Sequence, residues 1–473
     1  MEPTQVAVIG GGPGGYAAAF LAADLGLETT LVDLEENPGG VCLYRGCIPS
    51  KALLHAARLL NDVRAASAIG ILFREPEVDL DKLRSWKEGV VRKMTGGLGQ
   101  LAKQRKLRIV RGRGVLEDPH ALRVEKAEGG SERLAFQHAI LATGSRPATL
   151  PFLPDSPQVW DSTAALRLQE VPKRLLVIGG GYIGLEMATV YASLGSEVSV
   201  VEMLPGILMG CDRDLAAVLA RRLGKLCKEV LLETSIVSAD AVADGVRVRL
   251  QGQGLADPER VCDAVLVSVG RKPNSAGLGL ENTRVELDPR GFVKTDAHGR
   301  TAEPSIFAIG DVAGEPMLAH KASAQGRVAA EVIAGRPAVF SPRAIPGVVF
   351  TDPEVAWCGL TETAAAAAGR KVAVSRFPWG ASGRAMTLDR SDGMTKLIID
   401  PESEQVLGVG IVGPEAGELL AEGVLAVELG VRAHDLAACI HAHPTLSETV
   451  MEAAEAHFGL ATHIYRPKRA PVG

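Results

Sequence analysis

The sequence predicts an α/β protein that contains two copies of one strand–turn–helix–strand unit, a central segment and an α+β C-terminal region. Three observations support this fold class. Residues 5–33 and 174–202 align without a gap at a constant offset of 169. Two later apolar strands, near residues 140 and 265, each end in a glycine. From about residue 347 onward, the pattern changes to strands separated by helices, and no nucleotide-binding turn is predicted.

Each copy of the repeat consists of an apolar strand, the turn Gly-x-Gly-x-x-Gly, an alanine-rich helix and a second strand that ends in an acid. The turn glycines and the acids are Gly10, Gly12, Gly15 and Asp33 in the first copy, and Gly179, Gly181, Gly184 and Glu202 in the second. Such glycines let the backbone approach a pyrophosphate at the N-terminus of a helix, and the acid binds ribose hydroxyls. The alternative, two ordinary turns of a doubly wound sheet, is disfavoured because both copies end in an acid. The sequence therefore predicts two Rossmann-like dinucleotide-binding domains.

The second copy favours NAD(H) over NADP(H). Glu202 is followed by Met203-Leu204-Pro205, and no arginine occurs before Arg213. A 2′-phosphate would meet a carboxylate without a nearby cation.

Two cysteines, Cys42 and Cys47, follow the acid of the first copy. Pro49 favours the first turn of a predicted helix over residues 49–65, and the positive end of that helix would stabilise a thiolate at Cys47. The alternatives are two buried thiols or half of a metal site. We predict no metal, because no second Cys/His pair has ligand spacing. We interpret the pair as a redox disulfide beside a bound dinucleotide.

Four domains are predicted, over residues 1–147, 148–275, 276–346 and 347–473. The third contains a buried strand that ends in Gly310-Asp311, where a carboxylate would reach a ribityl or ribose hydroxyl. A second helix is predicted over residues 80–105 in the first domain. Its apolar residues at helical spacing are expected to be core, and they are Leu83, Trp86, Val90, Met94 and Leu98.

A candidate base lies near the C-terminus, in His441-Ala442-His443-Pro444. Imidazole titrates in the range needed to deprotonate a thiol, and Glu448 is close enough in sequence to orient His443. His441 is an equal candidate on this evidence, and a histidine before proline is also common in loops.

Composition excludes several classes of function. The net charge of −5 gives no reason to expect a nucleic-acid surface. Residues 6–23 carry no charge, but Gly10–Gly15 are all glycine or proline and indicate a turn, so we predict no membrane span. The N-terminus has no signal-peptide pattern, and the other five cysteines lack a spacing pattern, which favours a reduced, cytoplasmic protein.

Taken together, the motifs resemble those of the FAD-dependent pyridine nucleotide–disulfide oxidoreductases over essentially the whole chain. The matching segments are Gly39-Gly40-Val41-Cys42, Cys47-Ile48-Pro49-Ser50-Lys51, Leu185-Glu186-Met187, Ile309-Gly310-Asp311, Met317-Leu318-Ala319-His320-Lys321, Phe377-Pro378-Trp379 and His441-Ala442-His443-Pro444-Thr445-Leu446-Ser447-Glu448.

The resemblance implies that FAD occupies the first site and NAD the second. Expected FAD-binding residues are Gly10, Gly12, Gly15, Asp33, Gly40, Lys51, Gly114, Thr143, Gly144, Asp311 and Ala319. Expected NAD-binding residues are Gly179, Gly181, Ile183, Gly184, Glu202, Ile236 and Gly270. Expected catalytic residues are Cys42, Cys47, Lys51, Glu186, His443 and Glu448.

The resemblance also implies the reaction and the partners. It assigns Cys47 as the thiolate next to the flavin, Cys42 as the sulfur that exchanges with substrate, and His443, oriented by Glu448, as the base. The expected reaction is oxidation of protein-bound dihydrolipoamide with NAD⁺. A homodimer is implied, because in this family the histidine acts on the cysteines of the other subunit. The expected partners are lipoyl domains and the acyltransferase core of 2-oxoacid dehydrogenase complexes, or the lipoyl carrier protein of the glycine cleavage system.

Two departures from the family pattern stand out. Asp33 replaces the usual glutamate, and Tyr44-Arg45 replaces the usual Asn-Val between the cysteines. Arg45 either lowers a thiol pKa, recognises a partner, or is a tolerated solvent-facing change. Three alternatives are disfavoured by particular residues. Glu202 and Leu446 disfavour a glutathione-reductase-like enzyme, and the lack of a cysteine pair near the C-terminus disfavours a mercuric reductase. The presence of both cysteines, His443 and Glu448 disfavours a non-catalytic scaffold.

Overall fold

The computed structural model describes residues 1–126, 128–253, 255 and 257–465. The end of the fourth predicted domain, residues 466–473, lies outside them. The helices are α1 (Pro13–Asp24), α2 (Gly40–Arg45), α3 (Cys47–Ala65), α4 (Leu80–Gln104), α5 (Ser162–Arg167), α6 (Tyr182–Ser193), α7 (Arg213–Leu226), α8 (Ala319–Ile333), α9 (Glu362–Ala367), α10 (Gly383–Thr387), α11 (Ala416–Leu429), α12 (Ala433–Ala438) and α13 (Glu448–Phe458).

The strands lie either singly between helices or directly after one another along the chain. They are β1 (Thr4–Ile9), β2 (Thr29–Asp33), β3 (Arg108–Asp118), β4 (Ala121–Lys126), β5 (Ser131–Leu141), β6 (Ser145–Pro147), β7 (Val159–Trp160), β8 (Arg174–Ile178), β9 (Glu197–Val201), β10 (Glu229–Leu231), β11 (Ser235–Val242), β12 (Gly245–Gln251), β13 (Glu259–Cys262), β14 (Ala264–Val267), β15 (Arg271–Pro273), β16 (Ile306–Ala308), β17 (Gly347–Val349), β18 (Glu354–Gly359), β19 (Ala373–Pro378), β20 (Met394–Ile399) and β21 (Val406–Gly413).

The sequence repeat is a structural repeat. The unit β1–α1–β2 recurs as β8–α6–β9, and in each copy the two strands pair in parallel. Helices α1 and α6 both begin directly after the third residue of the glycine turn, at Pro13 and Tyr182. The predicted pair of Rossmann-like domains is therefore present.

Each repeat forms the centre of its own sheet. In the first sheet, β1 pairs with β2 and β5, β3 lies outside β2, and β16 lies outside β5, all in parallel. Strand β16 comes from the predicted central segment, so residues far along the chain complete the sheet that carries the first glycine turn. The second sheet has the order β10-β9-β8-β14-β7 and is also parallel. Carboxyl ends of parallel strands share one edge, where ligands of such sheets bind.

The C-terminal region is a five-stranded antiparallel sheet in the order β17-β18-β21-β20-β19, covered by α11 and α13. Its fully buried Lys396 joins it to α7 of the second sheet. The ammonium group lies 2.8 Å from Asp212 Oδ2 and 2.9 Å from Asp214 Oδ1, and it also contacts Glu362. This charge cluster fixes the C-terminal sheet against the second nucleotide-binding unit.

The predicted core face of α4 is wrong for two of its residues. Trp86 and Met94 are 45% and 46% exposed in the single chain. The buried residues are instead Lys87, Val91, Thr95, Gly99 and Ala102. The small residues Thr95 and Gly99 face the loop after β2, where a Cβ on Gly99 would lie 2.0 Å from Asn37 Oδ1. Close approach of that loop therefore requires small side chains at these two positions.

Among the described helices, none combines the length and the apolar character required to cross a bilayer.

Candidate functional site

A cavity of about 340 Å³ opens at the edge where the strands of the first sheet end. This volume lies within the range of about 300–1,000 Å³ that is usual for ligand sites. Predicted site residues that line it are Gly10, Gly12, Asp33, Gly40, Cys42, Cys47, Lys51, Thr143, Gly144, Ile183, Glu186, Asp311 and Ala319. The cavity thus brings together the first glycine turn, the cysteine pair and the Gly-Asp end of β16.

The glycine turn has the shape that a pyrophosphate requires. A Cβ on Gly10 would lie 2.3 Å from the carbonyl oxygen of Ala142, and one on Gly15 would lie 1.8 Å from that of Gly10. A Cβ on Gly12 would meet nothing within 4 Å, and Gly181 behaves in the same way in the second copy. The outer glycines therefore pack the turn, whereas the middle glycine presents bare backbone to open space. No side chain caps α1 or α6 at Gly12 or Gly181, so the N–H groups of both helix ends are available to an anion.

The two acids are held in the same way. Asp33 accepts hydrogen bonds from the backbone N–H groups of Gly11 (2.5 Å) and Glu35 (2.9 Å). Glu202 accepts them from Gly180 (2.7 Å) and Leu204 (2.8 Å), the equivalent positions. Asp33 therefore accepts the same two backbone hydrogen bonds as Glu202, although its side chain is one methylene shorter. Burial raises the pKa of Asp33, and these two N–H groups act in the opposite direction.

Cys42 lies in α2, and Cys47 is the first residue of α3, two residues before the predicted start. Both are free thiols. A hydrogen bond from Cys42 lowers the pKa of Cys47 to about 7; burial opposes this effect and Lys51 supports it. The same hydrogen bond, together with burial, raises the pKa of Cys42. This hydrogen bond therefore makes the two sulfurs unequal, and Cys47 is the more acidic of the two thiols.

Lys51 lies one turn after Cys47 and pairs with Glu186 of α6. Its ammonium nitrogen is 3.0 and 2.9 Å from the two carboxylate oxygens, and it lies 4.4 Å from the centre of the Phe350 ring. Glu186 is buried and also accepts the backbone N–H of Phe350 at 3.1 Å. This ion pair connects the cysteine helix to the second glycine turn.

Asp311 belongs to a network that the sequence did not reveal. Ser145 donates its hydroxyl to Asp311 Oδ2 at 2.5 Å, and Arg271 donates to the Ser145 hydroxyl at 2.7 Å. Strands β6 and β15, which carry Ser145 and Arg271, pair with each other and connect the two nucleotide-binding units. The sequence did contain one sign of this network: two apolar strands end in Gly144 and Gly270, and the residues that follow these glycines form the link.

His443 and Glu448 form a pair that does not line the cavity. His443 is 72% exposed, and its Nδ1 lies 2.9 Å from Glu448 Oε1. Burial would raise the pKa of Glu448, but the N–H of Thr445 and the nearby His443 lower it. In His441 both ring nitrogens are engaged, by Glu422 Oε1 at 2.8 Å and by the Cys439 carbonyl at 3.1 Å. His443 alone of the two has Nε2 directed to no described partner.

The remaining predicted residues lie elsewhere. Gly114 is buried in β3 against Ile9 and does not line the cavity. Gly179, Gly181 and Gly184 form the second glycine turn, and Glu202 accepts the N–H of Gly180 within it. Gly270 follows β14, and Ile236 lies in β11 on the neighbouring sheet. Cavity-lining residues that the sequence did not single out include Glu35, Tyr182 and Arg271. Burial raises the pKa of Tyr182, which begins α6 and lines the cavity, to about 12.

Comparison with known proteins identifies relatives along the whole chain. The pyridine nucleotide-disulphide oxidoreductase family matches residues 4–326, and its dimerisation domain matches residues 345–454. A dihydrolipoyl dehydrogenase of Vibrio parahaemolyticus is 50% identical over 98% of both chains. One of Thermus scotoductus is 48% identical over 98% of this chain and 99% of its own.

Two solved structures share the fold at lower sequence identity. LpdA of Mycobacterium tuberculosis superimposes with a TM-score of 0.88 at 26% identity, covering 96% of this chain and 99% of its own. The Cu(II) complex of the HOCl-induced flavoprotein disulfide reductase RclA of Escherichia coli gives 0.86 at 26% identity, covering 96% and 100%.

Proposed function

The chain belongs to the pyridine nucleotide-disulphide oxidoreductase family, and from this premise we infer that it oxidises dihydrolipoamide to lipoamide and reduces NAD⁺. FAD and NAD are its cofactors. One observation supports the assignment of this reaction to particular residues. The cavity at the first glycine turn is lined by Cys47, whose thiol has a lowered pKa, together with the Lys51–Glu186 ion pair.

The four predicted domains are part of this proposal. Residues 1–147 and 276–346 would together hold FAD, since β16 completes the first sheet and Asp311 lines the same cavity as Gly12. Residues 148–275 would hold NAD through Glu202 and the second glycine turn. Residues 347–473 would form the dimer contact, in agreement with the dimerisation-domain match.

The proposed reaction begins with the oxidised Cys42–Cys47 pair. His443 Nε2 takes the proton of one substrate thiol, and the resulting thiolate attacks Cys42, so that a mixed disulfide forms and Cys47 leaves as a thiolate. The second substrate thiol then displaces Cys42, which releases lipoamide and leaves both cysteines reduced. Bound FAD supplies the two-electron acceptor between this dithiol and NAD⁺.

The protein groups have distinct tasks in this sequence. Glu448 holds the imidazole by its Nδ1, which directs Nε2 outward toward the proton that it must move. The charge of Lys51 stabilises Cys47 as the leaving thiolate, and the hydrogen bond from Cys42 adds to this once Cys42 has been released as a thiol. The engagement of both nitrogens of His441 supports the choice of His443 as the base.

A homodimer fits the separation of these groups. His443 lies on the exposed surface of the C-terminal region and does not line the cavity of its own chain. We therefore place it against the cysteines of the second subunit. Lipoyl domains or a lipoyl carrier protein in the cytoplasm are the proposed source of substrate.

The decisive experiment is a steady-state assay with dihydrolipoamide and NAD⁺, run beside glutathione disulfide and NADPH. We expect turnover only with the first pair, and loss of that turnover in Cys47→Ser. Equal turnover of the glutathione pair would contradict the substrate assignment. Absence of a long-wavelength thiolate–flavin band after anaerobic reduction with dithiothreitol would contradict the role of Cys47.

A further inference from the structure

Arg45, between the two cysteines, faces the cavity wall formed by the loop after β2. Its guanidinium binds the carboxylate of Glu35, and both residues line the cavity together with Asp33. The neighbouring Tyr44 also reaches this loop, donating its hydroxyl to the carbonyl of Asn37 at 3.0 Å. The unusual Tyr44-Arg45 pair therefore ties the cysteine helix to the segment that follows the ribose-binding acid.

The second copy of the repeat gives an internal comparison. Glu35 occupies the position of Leu204, and both residues donate their backbone N–H to the acid two residues earlier. The first copy thus carries an additional carboxylate beside its acid, which the second copy lacks. Arg45 supplies the matching positive charge, and it comes from outside the repeat.

This arrangement matters because the ligand of the first site is an anion. The pyrophosphate of a dinucleotide is doubly charged, and an uncompensated Glu35 at the cavity wall would repel it, since charges in a partly enclosed site are weakly screened. A guanidinium has five N–H donors, of which the described hydrogen bonds of Arg45 use one. The others are available to phosphate or ribose oxygens.

We propose that Arg45 is a cofactor-binding residue for the adenosine-pyrophosphate half of FAD, and that it acts with Glu35 as a charge-compensated clamp. The proposal rests on the assignment of FAD to this cavity. In this proposal Arg45 has no role in the thiol chemistry, because the charged residues that shift the pKa of Cys47 are Lys51 and Glu186.

The test measures release of FAD from the holoenzyme, by the rise in flavin fluorescence after dilution, in the wild type, Arg45→Met and Arg45→Lys. We expect Arg45→Met to hold FAD about tenfold more weakly, equivalent to about 1.4 kcal/mol. Arg45→Lys keeps the positive charge but not the planar, bidentate guanidinium, so it should lose less FAD affinity than Arg45→Met. The difference in FAD affinity between the wild type and Arg45→Met should be smaller in 0.5 M NaCl, because salt screens the charges.

A matched control is Arg370→Met. Arg370 is 48% exposed and pairs with a 24% exposed Asp400, compared with 42% for Arg45 and 26% for Glu35, and it does not line the cavity. This variant should hold FAD as the wild type does. The double variant Arg45→Met/Glu35→Gln should regain part of the lost affinity, because it removes the unpaired carboxylate.

The proposal is overturned if Arg45→Met retains FAD as tightly as the wild type and Arg370→Met. It is also overturned if Arg45→Met shifts the thiolate titration of Cys47 and leaves FAD release unchanged. If the wild-type protein itself binds no FAD, the cofactor assignment fails instead, so the two failures are distinct.

Discussion

Replacing Lys51 by methionine tests the ion pair that links the cysteine helix to the second nucleotide-binding unit. The variant keeps the length of the side chain but leaves the buried Glu186 with the N–H of Phe350 as its remaining described hydrogen bond. It also removes the contact of the ammonium with the Phe350 ring.

The size of the effect follows from burial. Removing one member of a buried ion pair costs about 3–5 kcal/mol. One third of the Lys51 side chain is exposed, so solvent screens part of the interaction, and we expect about 2–3 kcal/mol of lost stability. The double variant Lys51→Met/Glu186→Gln should recover most of the lost stability, because the buried negative charge of Glu186 is then removed as well.

The assay is urea unfolding at one fixed protein concentration, because dimerisation contributes to apparent stability. Lys294→Met is the matched control, since Lys294 pairs with Glu286 at 3.1 Å on the exposed surface and should cost about 0–1 kcal/mol. The pKa of Cys47 should also rise from about 7 toward 9.0 when the positive charge is removed. The reasoning about this pair is refuted if Lys51→Met is no more destabilising than Lys294→Met. It is also refuted if the losses of stability in Lys51→Met and Glu186→Gln simply sum to the loss in the double variant.

Three further predictions concern the thiolate, the base and the coenzyme. Because the pKa of Cys47 is lowered to about 7, alkylation of the reduced protein should slow as the pH falls through 7, and Cys42→Ala, which removes the donor, should shift this midpoint upward; an unchanged midpoint would contradict the hydrogen bond. His443→Gln should reduce dihydrolipoamide turnover about 100-fold or more, whereas electron transfer from NADH to a quinone should persist; equal loss of both activities would point to a structural defect. Glu202→Ala should raise the KM for NAD⁺ about tenfold with little change in kcat, since an anchored carboxylate binds the ribose; an unaltered KM in steady-state assays would remove Glu202 from the site.

The repeat and its consequences could be predicted because they depend on local sequence. Glycine turns, strand ends and the acids lie within about 30 residues of one another, and the backbone forces their arrangement. The buried face of α4 could not be predicted from periodicity, because it depends on contacts with other elements, such as the loop against Gly99 and the Leu166 carbonyl bound by Lys87. The pairing of Arg45 with Glu35, and of Lys396 with Asp212, likewise depends on contacts between separate elements that no spacing rule encodes.

The exposure of the C-terminal histidine segment supports the proposal that His443 acts on the cysteines of a second subunit. Ile440, three residues before His443, is 100% exposed in the single chain, although an isoleucine gains about 1.5–3 kcal/mol from burial. The same segment carries a histidine that is oriented at Nδ1 and open at Nε2, away from the cavity that contains the thiols. A second copy of the chain that covers Ile440 would also bring this nitrogen toward a cysteine pair. Dimer formation and assembly of the acid–base half of the site would then be one event, so a change such as Ile440→Asp should weaken the dimer and dihydrolipoamide oxidation together, as sedimentation and activity measured at the same concentrations would show.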